Sequence, residues 1–163
     1  MKSLLIVYYS RTGGTKQMAE AATRGASSEP QVMVRSVPAP ETQPADLLQA
    51  DGVIFATPEN LASMAGPMKD FFDRCYYPAL ERMNGRPYAM LVCAGSDGAN
   101  TVRQIQRIAT GWRLRPVADP IIVCTHAQTR EAILSPKVIS VGELRRCEEL
   151  GAAFAAGLAL GVF

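Results

Sequence analysis

Leu4-Leu5-Ile6-Val7-Tyr8-Tyr9-Ser10-Arg11-Thr12-Gly13-Gly14-Thr15-Lys16-Gln17-Met18-Ala19 changes character twice along its length. Leu4 to Tyr9 is apolar without alternation, as a parallel strand buried on both faces requires. Ser10 to Thr15 then supplies three hydroxyls, Ser10, Thr12 and Thr15, together with Arg11 and the pair Gly13-Gly14. A helix is predicted over about Lys16 to Arg24, with Met18, Ala21 and Ala22 on one side. A turn between strand and helix aims successive amides at one point, and the positive end of the helix dipole favours an anion there. A plain capped turn, with Ser10 or Thr12 as N-cap, uses the same groups and stays open as an alternative. Two other nucleotide patterns are absent. Gly13-Gly14-Thr15-Lys16 lacks the spacing of GxxxxGK[ST], and there is no GxGxxG.

Outward from this stretch the chain keeps alternating. Gln31 to Val37 reads as a second strand, followed by a proline-rich connection over Pro38 to Pro44 and a helical turn or two at Ala45 to Gln49. Val53 to Ala56 is the third strand, closed by Thr57-Pro58, and a loop is expected from there to Gly66. Pro67 is placed to open a helix through Asp73. Pro78 should end any continuation, with one further turn over Ala79 to Met83. Tyr88 to Cys93 is the fourth strand and runs into Ala94-Gly95-Ser96-Asp97-Gly98. Asn100 to Trp112 suits a helix, and Val117 to Cys124 a fifth strand interrupted at Asp119-Pro120. The last helix spans Val141 to Leu160, with Leu144, Cys147, Gly151, Phe154 and Leu158 on one face.

Five strands alternating with helices predict an α/β fold, a doubly wound five-stranded parallel sheet with helices on both faces. The order expected is 2-1-3-4-5, in one domain over residues 1–163. Ligands of such sheets sit beyond the carboxyl ends of the strands, at the switch point between the first and third. The loops there are Ser10 to Thr15 and Thr57 to Gly66, with Ala94 to Gly98 alongside.

Composition narrows the function classes. The chain is 48% hydrophobic and 20% charged, which is globular, and its net charge of +2 points to neither nucleic acid nor an anionic membrane. Leu150 to Phe163 is apolar but too short for a membrane span. Cys75, Cys93, Cys124 and Cys147 are far apart and read as small buried hydrophobes, and no metal site is expected. With no cleavage signal after Met1-Lys2-Ser3, a reducing cytoplasm is the expected compartment.

Ile6 to Ala19 resembles the signature of the flavodoxin-like FMN-binding family: apolar strand, Ser/Thr-x-Thr-Gly-x-Thr loop, and alanine one turn into the helix. The segment Thr57-Pro58-Glu59-Asn60-Leu61-Ala62-Ser63-Met64-Ala65-Gly66-Pro67-Met68-Lys69-Asp70-Phe71-Phe72-Asp73-Arg74 is similar to the Thr-Pro … Lys-x-Phe-x-Asp-Arg segment of its NAD(P)H-dependent oxidoreductases. The resemblance implies that Ser10, Arg11, Thr12, Gly13, Gly14 and Thr15 hold the FMN phosphate. It implies that backbone of Thr57, Pro58, Glu59, Asn60, Leu61, Ser63 and Met64 lines the ribityl chain and one flavin edge. Ala94, Gly95, Ser96, Asp97 and Gly98 would then approach the pyrimidine edge. The sequence departs from the family at Glu59-Asn60, where many relatives carry an aromatic that stacks on the flavin. The ring is therefore expected to be more open, or covered by Leu61, Met64, a partner chain, or an aromatic such as Trp112 or Tyr9.

The function this implies is an FMN-dependent oxidoreductase taking electrons from NADH or NADPH to a quinone-like or other small acceptor, with no named catalytic acid or base. The alternative is a one-electron carrier docking to a redox partner protein; the lack of acidic excess argues against it. A homodimer is possible. Phe71, Phe72 and Tyr76-Tyr77 read as core or interface packing, and Asp73-Arg74 as charge pairing at a helix end. His126 is either a proton donor to substrate or an ordinary loop histidine. Arg130 and Lys137 are candidate contacts to a nicotinamide phosphate.

Overall fold

A computed structural model describes all of residues 1–163. The elements in chain order are β1 (Lys2–Tyr8), α1 (Gly14–Ala26), β2 (Val32–Pro38), α2 (Pro44–Gln49), β3 (Gly52–Asn60), β4 (Ser63–Met64), α3 (Gly66–Ala79), β5 (Pro87–Ala94), α4 (Ala99–Gly111), β6 (Arg115–Pro116), β7 (Ile121–Cys124), α5 (Arg130–Leu134) and α6 (Val141–Leu160). The sheet runs β2-β1-β3-β5, and β6 and β7 both pair with β5 at its far edge. These pairs are parallel, with Leu5 opposite Val53 and Val53 opposite Tyr88. This is the flavodoxin-like order inferred above, β6 and β7 together standing for the fifth strand.

The apolar runs are continuous because each strand serves two cores. Leu4, Ile6, Ile54, Ala56 and Leu91 face α1 and α6, and pack on Met18, Ala22, Phe154 and Leu158. Leu5, Val7, Val53, Phe55 and Met90 face the other way, toward Phe71, Phe72 and Trp112. The two-residue period of a strand sorts alternate side chains between the faces. In the second core Phe55 lies 5.1 Å from Phe72 between ring centroids, and Trp112 donates its indole N–H to Tyr76 O at 2.9 Å. Trp112 is fully buried there, so it is not an aromatic that could reach a ligand.

Several boundaries differ from the expectation for physical reasons. β3 runs on through Thr57-Pro58 and turns back as a hairpin, Glu59 pairing with Met64 and Asn60 with Ser63, where a loop was expected. Its turn, Leu61-Ala62, lacks the Asn-Gly or Gly that marks such hairpins in sequence. α3 extends to Ala79 because Pro78 sits in its last turn, and Leu80 to Asn84 form turns instead of a helix. The fifth strand breaks over Val117–Pro120 into β6 and β7. Asp73 and Arg74 do not pair with each other. Lys69 bridges to Asp73 at 2.6 Å and Arg74 to Asp70 at 2.8 Å, since residues four apart share a helix face and neighbours do not. Phe71 and Phe72 are buried as expected, whereas Tyr77 is exposed. No helix is long and apolar enough to cross a membrane.

α1 and α6 cross at small residues. A Cβ on Gly151 would overlap the carbonyl oxygen of Ala22, and one on Gly25 that of Glu148. Gly151→Ala should therefore destabilise the fold by about 1–3 kcal/mol through overpacking, despite alanine's better helix propensity. Gly142→Ala in the same helix, where the added methyl meets open space, should be neutral or mildly stabilising. Denaturant unfolding of the two variants measures the contrast. Burial raises the thiol pKa of Cys75, Cys93 and Cys147 to about 11, leaving them protonated at neutral pH, and only Cys124 is partly exposed. A thiol reagent near neutrality should accordingly label Cys124 rapidly and the other three only on unfolding.

Candidate functional site

β1 ends at Tyr8 and α1 begins at Gly14, so Tyr9 to Gly13 must reverse the chain within five residues. Gly13 takes φ +93° as the N-cap, a conformation open to glycine at little cost. Gly14 is needed for a different reason: a Cβ there would lie 2.7 Å from Cys93 Sγ. The first turn of α1 is thereby pressed against the end of β5. Its amides at Gly14, Thr15 and Lys16 have no carbonyl partner in the chain. The Ser10 hydroxyl accepts from the Gly13 amide at 3.2 Å.

Thr15 stands out. It is 1% exposed, and its Oγ1 is the one buried side-chain polar atom without a hydrogen-bond partner. An unpaired buried hydroxyl costs roughly 1–3 kcal/mol, so it calls for an explanation. Beside it lies a cavity of about 110 Å³, lined by Ser10, Arg11, Thr12, Thr15, Pro58, Asn60, Cys93 and the aliphatic pair Ile133 and Leu134. Orphaned amides at a helix N-terminus, three hydroxyls and an arginine form a donor set for an anion with several oxygens. They fit a phosphate group.

The β3–β4 hairpin forms the next wall. Leu61 and Ala62 both have positive φ, +52° and +61°, which non-glycine residues adopt at roughly 1–2 kcal/mol each. The hairpin is held in that shape from α4. The Glu59 carboxylate accepts from the Gly98 amide at 2.9 Å, from the Thr101 hydroxyl at 3.0 Å and from the Thr101 amide at 3.3 Å. Gln104 accepts from the Met64 amide at 2.9 Å, and Asn100 donates to Ala62 O at 2.6 Å. Met64 is buried in the core and the Ser63 side chain is bonded to Gln104, so neither side chain turns outward. Leu61 is fully exposed at the tip.

The third loop follows β5. Gly98 has φ +89° and N-caps α4, with no room for a side chain beside Ile122. Ser96 and Asp97 are exposed, and the amides of Gly95, Ser96 and Asp97 have no partner within the chain. Behind the loop His126, at φ +57°, donates its amide to Gly95 O at 2.8 Å. It lines a separate cavity of about 630 Å³ with Cys124, Lys137 and Glu143.

The structure thus gathers Ser10, Arg11, Thr12, Gly14, Thr15, Pro58 and Asn60 around one cavity, with Glu59 joining the hairpin to Gly98. Four contributors were not foreseen: Cys93 beneath Gly14, the side-chain bonds of Glu59, Gln17, whose amide donates to Gly13 O at 2.9 Å, and Ile133-Leu134 on α5. Gln17 carries no sequence signal, and a five-residue helix shows no periodicity to read.

Comparison with known proteins agrees with this geometry. Over 94 residues the chain is 39% identical to an NAD(P)H dehydrogenase (quinone) of Acidithiobacillus ferrooxidans, the match covering 45% of this chain and 47% of that protein. Over 73 residues it is 40% identical to a flavodoxin of Aquifex aeolicus, covering 45% of this chain and 40% of that one. The chain thus spans about half the length of these curated relatives or less. A flavodoxin from the domain Archaea superimposes with a TM-score of 0.77 at 20% identity, covering 96% of this chain and 98% of that one. A WrbA-like flavodoxin from Agrobacterium tumefaciens gives 0.69 at 19% identity, covering 99% of both. At such identities these two likenesses speak for the fold alone. The model of the NADPH-dependent FMN reductase family matches residues 1–129, and the chain belongs to that family.

Proposed function

We propose that this chain binds FMN at the ends of β1, β3 and β5 and passes reducing equivalents from NADH or NADPH to a quinone-like or other small acceptor. The observation that carries the reading is the unpartnered, buried Thr15 hydroxyl among the free amides of α1's first turn. A phosphate there would pair all of these donors at once. Ser10, Thr12 and Thr15 would hold it through hydroxyls, and Gly14 to Lys16 through amides. Backbone of Pro58 to Asn60 would run along the ribityl chain, and the Gly95 to Asp97 amides would face the pyrimidine edge. Bound FMN supplies the electron chemistry, accepting a hydride from a nicotinamide and passing electrons on. The chain's own work is to bind the ring, hold the hairpin rigid and leave one face accessible.

The family match and the quinone dehydrogenase named among the relatives support this direction of electron flow. The flavodoxin relative supports a second reading, a one-electron carrier that docks to a protein. The net charge of +2 favours the first, because it leaves no overall acidic excess to steer such docking.

FMN should bind the purified protein stoichiometrically, and riboflavin far more weakly, in titration calorimetry. Thr15→Val should weaken FMN roughly 10- to 100-fold, the worth of one hydrogen bond to a charged group, and leave riboflavin unchanged. Because the hydroxyl has no partner in the chain, the same change should not lower the stability of the flavin-free protein. Equal affinity for the two flavins would refute the phosphate site.

The second test separates enzyme from carrier. Anaerobic NADH or NADPH should bleach the FMN-loaded protein, and a quinone should restore the colour. Protein that holds FMN tightly but stays yellow with both nicotinamides would point to the carrier.

A further inference from the structure

The loop from Ala94 to Gly98 turns its carbonyls toward the protein. Ala94 O accepts from the Thr125 amide at 2.8 Å, Gly95 O from the His126 amide at 2.8 Å, and Asp97 O from the Cys124 thiol at 3.7 Å. The amides of Gly95, Ser96 and Asp97 are left without partners, so the loop presents donors. The next amide, that of Gly98, is the exception. Its partner is the Glu59 carboxylate, reaching across from β3 at 2.9 Å.

Glu59 also supplies what α4 lacks. Gly98 stands at the N-cap, at φ +89°, with no side chain to cap the helix. The Asp97 carboxylate accepts from the Ala99 amide at 3.1 Å, and Glu59 accepts from the Thr101 amide at 3.3 Å and the Thr101 hydroxyl at 3.0 Å. A carboxylate from a distant strand thus serves as the cap, in the favourable field of the helix dipole. Both of its oxygens are engaged, and Thr101 is fully buried. On its own strand Glu59 lies between Pro58 and Asn60, which line the phosphate-sized cavity, and it pairs with Met64 across the hairpin. One side chain therefore fixes the end of the donor loop to the hairpin. Bonds to an ionised acceptor are about twice as strong as neutral ones, which suits a carboxylate to that task.

We infer that Glu59 is a positioning residue for the polar edge of the flavin ring. Through Gly98 and Thr101 it holds the free amides of Gly95, Ser96 and Asp97 where that edge can bond them, and so governs how tightly the ring is held and how readily it is reduced. Amide donors at the ring's edge favour the negative charge that reduction adds. The role rests on the FMN reading above and acts at the ring, the part that riboflavin and FMN share.

The test is titration of the full chain with FMN and with riboflavin, read by flavin fluorescence, joined to the reduction potential of bound FMN. Glu59→Ala should weaken both flavins by the same factor, roughly tenfold, where Thr15→Val weakens FMN alone. Glu59→Gln keeps an oxygen for the Gly98 amide and an amide for the Thr101 hydroxyl, and should recover most of that loss. Both variants remove the charge, so the difference between them belongs to the bonds: the alanine variant should have the lower potential of the two. Thr101→Val removes one bond of the three and should shift both affinities the same way by a smaller factor. It carries the test if the melting curve shows that Glu59→Ala does not fold. Unchanged flavin affinities in these variants overturn the inference, as does a loss confined to FMN or an equal potential in the alanine and glutamine variants. In each of those cases tight FMN binding by the wild type leaves the phosphate site standing. If the wild type binds no FMN, that reading fails and the role of Glu59 falls with it.

Discussion

The contact between Gly14 and Cys93 sets the geometry on which the rest of the site depends. α1 can start so close to β5 only because its first residue has no side chain, the sulfur lying 2.7 Å from where a Cβ would be. That approach carries the free amides of the first turn to the carboxyl edge of the sheet. It also buries the Thr15 hydroxyl with nothing in the chain to bond it. The fold leaves these groups without partners in the chain, as donors for acceptor oxygens from outside it. The sheet does the remainder. With both faces covered by helices, its strand ends at the switch point are where such a ligand has access.

The hairpin is arranged on the same principle, with strain in one place offset in another. Leu61 and Ala62 occupy the left-handed region that glycine or asparagine would adopt more easily. Against that stand the three bonds of Glu59 to Gly98 and Thr101 and the bonds of Gln104 and Asn100. The result is a hairpin whose shape is held by bonds from α4. Strain held by surrounding bonds is common beside functional sites, where a fixed geometry matters more than local stability.

Much of this was legible in the sequence, and the reason differs by element. Leu4 to Tyr9 and Tyr88 to Cys93 announce themselves because strands buried on both faces need unbroken apolar runs. The α6 face, Leu144, Cys147, Gly151, Phe154 and Leu158, follows from helical spacing; the last four are buried and Leu144 is partly buried against the same core. Ser10 to Thr15 is visible because hydroxyls and glycines between a strand and a helix have few uses. Glu59 was not legible as a brace, because its partners Gly98 and Thr101 lie about forty residues on and only the tertiary fold brings them together. The hairpin was hidden by its turn residues, and α5 by its brevity. Side chains whose role is set by distant partners leave no local pattern.

The placement of Glu59 bears on what kind of molecule can approach. A bare carboxylate beside the strand ends would repel anionic donors such as a nicotinamide dinucleotide and would favour a basic docking partner. Here the carboxylate lies on the N-terminus of α4, bonded to two of its amides and a hydroxyl, where the helix dipole compensates its charge. Leu61, the residue that projects farthest from the hairpin, is neutral and apolar. On the other side the cavity carries Arg11 and no acid. A negatively charged molecule that approaches the hairpin and the cavity therefore meets no uncompensated carboxylate on either. The same local arrangement that braces the hairpin therefore also masks its charge.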